Sequence, residues 1–255
     1  MASLVSTAMS PLSDIKRFRE AWSSACSELT AVRGSIERQP QFVPYSFQGG
    51  TVGAICGDDF VVIGGDTRMS LNQFSVLTRE HKKVHKLNDK VYLASAGFTG
   101  DIIQLVKVLR TRMRIYKFNF HEDLTVEGAA DMLSRTLYYK RFFPYYAANI
   151  LVGLDKNGKG ALYTYDPVGC IERTPYSIQG AGTSLVEPFL DAHVGFKTQP
   201  EECRVPLTKD RATTVLKDAF RAAAERDTST GDSLYVIVVS KSDGVKEETI
   251  KLRSD

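Results

Sequence analysis

The stretch Gln48–Ser70, QGGTVGAICGDDFVVIGGDTRMS, decides how the rest of the chain is read. It holds two apolar runs, Thr51–Cys56 and Phe60–Gly64, joined by Gly57-Asp58-Asp59. The second runs on into Gly65-Asp66-Thr67-Arg68. Val, Ile and Ala bounded by Gly and Asp predict a buried hairpin, because β-branched side chains pack on a pleated surface and Gly and Asp turn the chain.

On the N-terminal side, Gln39-Pro40-Gln41-Phe42-Val43-Pro44 interrupts any regular pattern, so the compact domain is predicted to start just after it. Residues 1–46 read as an N-terminal extension and 47–255 as the domain. Within the extension, Ser13-Asp14 is placed to cap a helix carrying Ile15, Phe18, Trp22, Cys26 and Leu29 at helical spacing. A transit peptide is the rival reading, opposed by the acidic Asp14, Glu20 and Glu28.

On the C-terminal side, strands and helices come in pairs. Asn72–His85 is a charged connection with room for a strand near Phe74–Leu77, and Val91–Ala96 is a strand ending at Gly97. A helix opening at Thr99-Gly100-Asp101 carries Ile102, Leu105, Val106, Leu109 and Met113 along one stripe. A second begins at Thr125 with Ala129, Leu133 and Leu137, and cannot pass Pro144. Ala148–Leu154 and Ala161–Tyr165 form a hairpin about Lys156–Gly160, and Asp166-Pro167-Val168-Gly169 turns into a strand over Cys170–Ile178. Helices over 184–191 and 208–226 follow, then a closing pair of strands, Leu234–Val239 and Val245–Leu252. Local hairpins predict mainly antiparallel sheets, and strands this apolar need cover on both faces. The fold class is therefore α+β: two sheets packed together with helices outside.

The chain has 255 residues, 43% of them hydrophobic, enough for one substantial core. Lys plus Arg number 33 and Asp plus Glu 30, a near balance that argues against a dedicated nucleic-acid or anionic-membrane surface. No apolar run is long enough to cross a bilayer as a helix. The cysteines Cys26, Cys56, Cys170 and Cys203 are scattered, which predicts reduced, buried thiols in place of a disulfide framework or zinc site.

GGTVGAICGDDFVVIGGDTR, KKVHKL, VYLASAG, GLDKNGKGALYTYDPVG, GAGTS and AERDTSTGD, in this order from about Phe47 to Arg253, resemble the beta-type subunits of the proteasome core. Tyr139–Tyr146 and Asp166–Gly169 resemble in particular the non-catalytic subunit at the sixth position of the beta ring. The resemblance implies the four-layer αββα sandwich of N-terminal-nucleophile hydrolases. In its active members, self-cleavage after a Gly frees a terminal Thr whose hydroxyl attacks the peptide carbonyl while its own amine serves as base. It implies no cofactor and no metal. As partners it implies other beta subunits in a seven-membered ring, the alpha ring and the opposite beta ring, with no nucleic acid and no membrane, in cytoplasm and nucleus, and with residues 1–46 trimmed.

Carried over position by position, the family's catalytic set is incomplete. Asp66 and Arg68 match its Asp-x-Arg, and Lys83 its lysine, with Lys82 as the fallback. Gly180-Ala181-Gly182 stands where the family has Gly-Ser-Gly, so Ala181 lacks the helping hydroxyl. Asp227 matches the later Asp, and Thr230 replaces the Ser before Gly231. Counting back from Asp66, the nucleophile's position falls on Gly50, which has no side chain. Thr51 follows directly and offers the alternative, an active threonine peptidase. On a strand, however, a one-residue slip turns a side chain to the opposite face.

Without a nucleophile beside them, Asp66 and Arg68 read as partners in a structural salt bridge. Asp166, Pro167 and Val168 resemble a turn that reaches into a neighbouring subunit's substrate pocket. His81 and His85 are four apart and would share a face for metal only on a helix. Arg110, Arg112 and Arg114 read as the solvated face of a core helix more readily than as a nucleic-acid contact. The aromatic block Tyr138–Tyr146 fits core packing and subunit contact equally well.

Overall fold

The period-two alternation of Thr51–Cys56 and Phe60–Asp66 sorts their side chains to two opposite sides. Val52, Ala54, Val61 and Ile63 point one way, into a cluster with Tyr92, Ala94, Ile150 and Val152. Ile55, Phe60 and Val62 point the other way, against Leu216, Ala219 and Phe220. These two strands, β1 and β2, are thus buried on both faces and form the centre of the molecule.

The computed structural model describes residues 45–254, except Thr198 and the side chain of Cys203. The extension, with the helix expected to start at Ser13-Asp14, lies outside the described residues, apart from Tyr45 and Ser46. Beyond β1 and β2 the strands are β3 (Met69–Leu71), β4 (Ser75–Thr78), β5 (Val84–Lys86), β6 (Val91–Gly97), β7 (Ala147–Leu154), β8 (Gly160–Tyr165), β9 (Ile171–Arg173), β10 (Tyr176–Gly180), β11 (Ser233–Ser240) and β12 (Gly244–Lys251). The helices are α1 (Thr99–Phe120), α2 (Val126–Tyr139), α3 (Thr183–His193) and α4 (Lys209–Arg226), with a 3-10 turn at Glu201–Cys203.

One sheet has the order β10-β1-β2-β11-β12, the other β5-β6-β7-β8-β9, and β3-β4 is a separate hairpin. All these pairings are antiparallel. Three apolar clusters stack through the molecule. One lies between α3/α4 and the first sheet, one between the sheets, and one between the second sheet and α1/α2. This is the four-layer αββα sandwich, a mixed α+β fold.

The stripe expected on α1 is its buried face: Ile102, Leu105, Val106, Leu109 and Met113. Thr125 caps α2, its Oγ1 accepting from Gly128 N at 3.2 Å, and Thr208 caps α4 in the same way from Arg211 N at 3.3 Å. Two departures from the sequence reading have physical causes. The single strand expected over Cys170–Ile178 is two, β9 and β10, in different sheets, with Thr174-Pro175 carrying the chain between them. Proline has no N–H for a ladder, so the strand cannot run on through it. The β3–β4 hairpin turns at Asn72 and Gln73, both with positive φ (51° and 65°), without a glycine to announce it.

Candidate functional site

At its N-terminal end β1 continues from Gly50, whose φ is +88°. This is backbone that favours glycine. Gly50 shares a face with Val52 and Ala54, and that face meets Lys83. A Cβ built on Gly50 would fall on Lys83 Cε and lie 2.6 Å from its Nζ. The aliphatic end of the lysine therefore occupies the space that a residue 50 side chain would need. Lys83 is buried and donates to Asp66 O at 3.0 Å, Arg68 O at 2.5 Å and Asp66 Oδ1 at 2.9 Å. An ammonium has three N–H donors, and these three acceptors engage them all. Asp66 is fully buried; its Oδ1 also accepts from Thr51 N at 2.7 Å and its Oδ2 from Gly231 N at 3.4 Å. Burial pushes the Asp66 carboxyl up, against the pull of Lys83 and those two N–H donors.

Thr51 faces the opposite side. Its Oγ1 accepts from Gly182 N at 2.8 Å and pairs with Thr230 Oγ1 at 2.7 Å. Thr230 Oγ1 donates to Asp227 Oδ2 at 2.6 Å. Since Thr230 has one hydroxyl proton and Asp227 takes it, Thr51 must be the donor to Thr230. Thr51, Thr230 and Asp227 thus form a closed chain that ties β1 to the start of α3 and the end of α4. Ala181 contributes only its backbone N–H, to Gly50 O at 3.0 Å. Gly50, Lys83 and Asp66 come together on one side of β1, and Thr51, Thr230 and Asp227 on the other.

Residues upstream of Gly50 complete the site, and sequence reasoning missed them. Ser70 N donates to Gln48 O at 3.1 Å and Asn72 N to Phe47 O at 2.8 Å, so Phe47–Gly49 lies along β3 like an added strand. Gln48 lines a remnant of space, about 10 Å³, together with Met69, His81, Lys83 and Ser95. Its Oε1 accepts from Thr99 N at 2.6 Å, at the start of α1. Phe98, the N-cap residue there, supplies no side-chain acceptor. Ser229 is buried behind Gly49, its Oγ bonded to Asp227. Gln48 belongs to no recognisable motif, and Ser229 lies within the AERDTSTGD stretch without matching a catalytic position. The signal for Gln48 was the uncapped helix start some fifty residues away. Beside this segment lies an open cleft of about 310 Å³, walled by Gly50, Gly97, Tyr146, Pro167 and Ala181.

Other expected roles change. Arg68 does not pair with Asp66: its Nε meets Asp232 Oδ2 at 3.0 Å and its Nη1 meets Thr228 O at 2.9 Å. Asp66, at the end of β2, is taken instead by the buried Lys83 just before β5, whose Nζ lies 2.9 Å from Asp66 Oδ1. Lys82, the fallback for Lys83, is exposed, and its ammonium lies over the Tyr235 ring. Asp166, Pro167 and Val168 are exposed at the turn after β8. Asp166 Oδ1 accepts from Val168 N at 3.0 Å and Cys170 N at 2.7 Å, which fixes the turn. His81 and His85 lie at and before β5, not on a helix, and no metal-like cluster of His, Cys, Asp or Glu occurs among the described residues. Arg110 and Arg112 bond Lys86 O and Thr136 Oγ1, so they brace neighbouring elements. Of the aromatic block, Tyr138, Tyr139, Phe142, Phe143 and Tyr146 are exposed while Tyr145 packs on the core. The expectation of buried thiols fails at Cys170, which is exposed on a turn, and only partly describes Cys56.

The model of the family described as "Proteasome subunit" matches residues 46–239. The chain is similar to proteins named proteasome subunit beta type-1. That of Caenorhabditis elegans is 46% identical over 221 residues, covering 86% of this chain and 85% of that protein. That of Danio rerio is 44% identical over 222 residues, 87% and 92% of the two chains. That of Arabidopsis thaliana is 44% identical over 216 residues, 83% and 96%.

Proposed function

This chain belongs to the proteasome subunit family, and from that premise we propose that it builds the beta ring of the 20S core without a catalytic centre of its own. The observation that carries this reading is Gly50. Peptide hydrolysis in this fold needs a hydroxyl where Gly50 has only hydrogen, and the Lys83 side chain fills the vacant volume. Two further features support it. Lys83 spends its three N–H donors on Asp66 and Arg68, leaving none to tune a nucleophile. Phe47–Gly49 lies hydrogen-bonded along β3, where an extended peptide would otherwise pair. The alternative nucleophile, Thr51, has its hydroxyl proton committed to Thr230 on the far face.

In the assembly this chain then walls the chamber in which neighbouring subunits cut peptides. Its partners are the other beta subunits of a seven-membered ring, the alpha ring and the opposite beta ring, in cytoplasm and nucleus. Its N-terminal extension is trimmed at a point upstream of Gly49. The fixed turn Asp166-Pro167-Val168 is presented to a neighbour's substrate pocket and shapes its preference. No helix among the described residues is long and apolar enough to cross a membrane.

Treatment of the intact particle with an electrophile directed at terminal threonines, followed by N-terminal sequencing of this chain, tests the reading. The chain is expected to stay unlabelled and to begin upstream of Gly49. A labelled chain beginning at Thr51 would overturn it.

A further inference from the structure

The turn from Asp166 to Cys170 is held in shape by its own bonds. Asp166 Oδ1 accepts from Val168 N and Cys170 N, Gly169 N donates to Asp166 O at 3.2 Å, and Asp166 N donates to Cys170 O at 3.2 Å. Each of these joins two residues of the turn, so they fix its form and not its place. Its place is set by α2. Ser134 Oγ donates to Gly169 O at 2.6 Å. One helical turn earlier, Ala130 O accepts from Tyr165 OH at 2.9 Å, which ties the end of β8 to the same face of the helix.

The contact is close because residue 169 is glycine. A Cβ built on Gly169 would lie 2.4 Å from Ser134 O and 3.1 Å from Tyr138 N, and its φ is +93°. The turn thus comes down directly on the helix backbone. A hydroxyl inside a helix commonly bonds back to the carbonyl four residues before it, as Thr136 Oγ1 does to Met132 O at 2.6 Å. For Ser134 that carbonyl is Ala130 O, which receives Tyr165 OH. Ser134 reaches outward instead and takes hold of the turn. Resting on the role proposed above for Asp166-Pro167-Val168, we infer that Ser134 is a positioning residue for cleavage in the neighbouring subunit. By holding Gly169 O it sets how far the turn extends into that subunit's substrate pocket. It touches no substrate itself and acts only through the turn, where a small displacement of a pocket wall is enough to change binding.

The test compares intact particles carrying Ser134→Ala, Ser134→Thr or Asp166→Ala with wild type, in steady-state assays of fluorogenic peptides that differ in one side chain. Ser134→Ala is expected to raise KM about two- to tenfold, the worth of one hydrogen bond. The rise is confined to the peptides that Asp166→Ala also affects, and kcat changes less than KM. Ser134→Thr keeps the hydroxyl and restores KM. A merely structural serine would lower the thermal midpoint or all activities together, with no selective change in KM. If Asp166→Ala alters the preference while Ser134→Ala does not, or if Ser134→Thr fails to restore it, the positioning role is overturned and that of the turn stands. Unchanged cleavage in the Asp166→Ala particle would overturn both.

Discussion

The absence of one side chain, at Gly50, has consequences that substitution can measure. Gly50→Ala places a methyl group on Lys83 Cε and asks alanine to hold φ +88°. Backbone strain of about 1–2 kcal/mol plus displacement of a buried lysine should lower recovery of the assembled particle and its thermal midpoint. Gly50→Thr should be at least as damaging and still take no label from a threonine-directed electrophile; labelling of that variant would show that Lys83 does not obstruct the position. Lys83→Met removes the counter-charge from a fully buried Asp66, a change worth about 3–5 kcal/mol. Adding Asp66→Asn should recover part of the loss, and equal midpoints for Lys83→Met and wild type would refute the pairing. Thr51 acts as a tie. Thr51→Val leaves Gly182 N and Thr230 without their partner at a cost of about 1–3 kcal/mol, whereas Thr51→Ser keeps both bonds. If Val and Ser variants melt together, the hydroxyl does not hold α3 to β1.

At the scale of elements, the short strand β5 sets a pH dependence. His85 on β5 is held neutral by burial first, then by Arg110 and His81, its pKa lowered from 6.5 to about 4. Between those values the unfolded chain binds a proton that the native chain refuses, so stability falls as the pH drops from 6.5 towards 4. The loss is at most about 3 kcal/mol. A His85→Gln particle should show a shallower decline in thermal midpoint between pH 7 and pH 5 than wild type, and parallel declines would rule out the assignment. Elements also show where sequence is a good guide. α1 and α2 were legible because their buried residues follow helical spacing and Thr125 stands ready as a cap. β3, β5 and the β9–β10 division were not, because strands of three to five residues are too short to show a period, and β10 owes its place to β1, far away in sequence.

For the whole molecule, the two central faces of the sandwich are filled, and the surface proposed to meet neighbouring subunits is at its rim. The turn at Asp166 is the clearest case. Its carboxylate holds Val168 N and Cys170 N, so charge and geometry can be separated. Asp166→Asn keeps an acceptor for the turn and removes the charge; Asp166→Ala removes both. If the turn shapes a neighbour's pocket by its charge, both variants should change the particle's cleavage preference among peptide substrates. If it acts by shape alone, only the alanine variant should. Unchanged cleavage of all substrates in both particles would sink the role. The exposed Tyr139, Phe142 and Phe143 form an apolar rim of the same kind, which spacing alone could assign equally to core or contact and which their exposure assigns to the surface.

The sequence by itself determined the layering, two antiparallel sheets packed together with helices outside, since alternation along β1 and β2 fixes which side chains are interior; that Gly50 stands at the nucleophile's position is what the family resemblance implies, by counting back from Asp66 along one hairpin. Only the tertiary structure decided what surrounds that position. Lys83 filling it, Thr51 locked to Thr230, Arg68 drawn to Asp232 and Gln48 capping α1 are contacts between residues about 30 to 180 positions apart. No local spacing encodes them, because partners for buried charges and hydroxyls are chosen by whichever groups the packed layers bring within bonding distance.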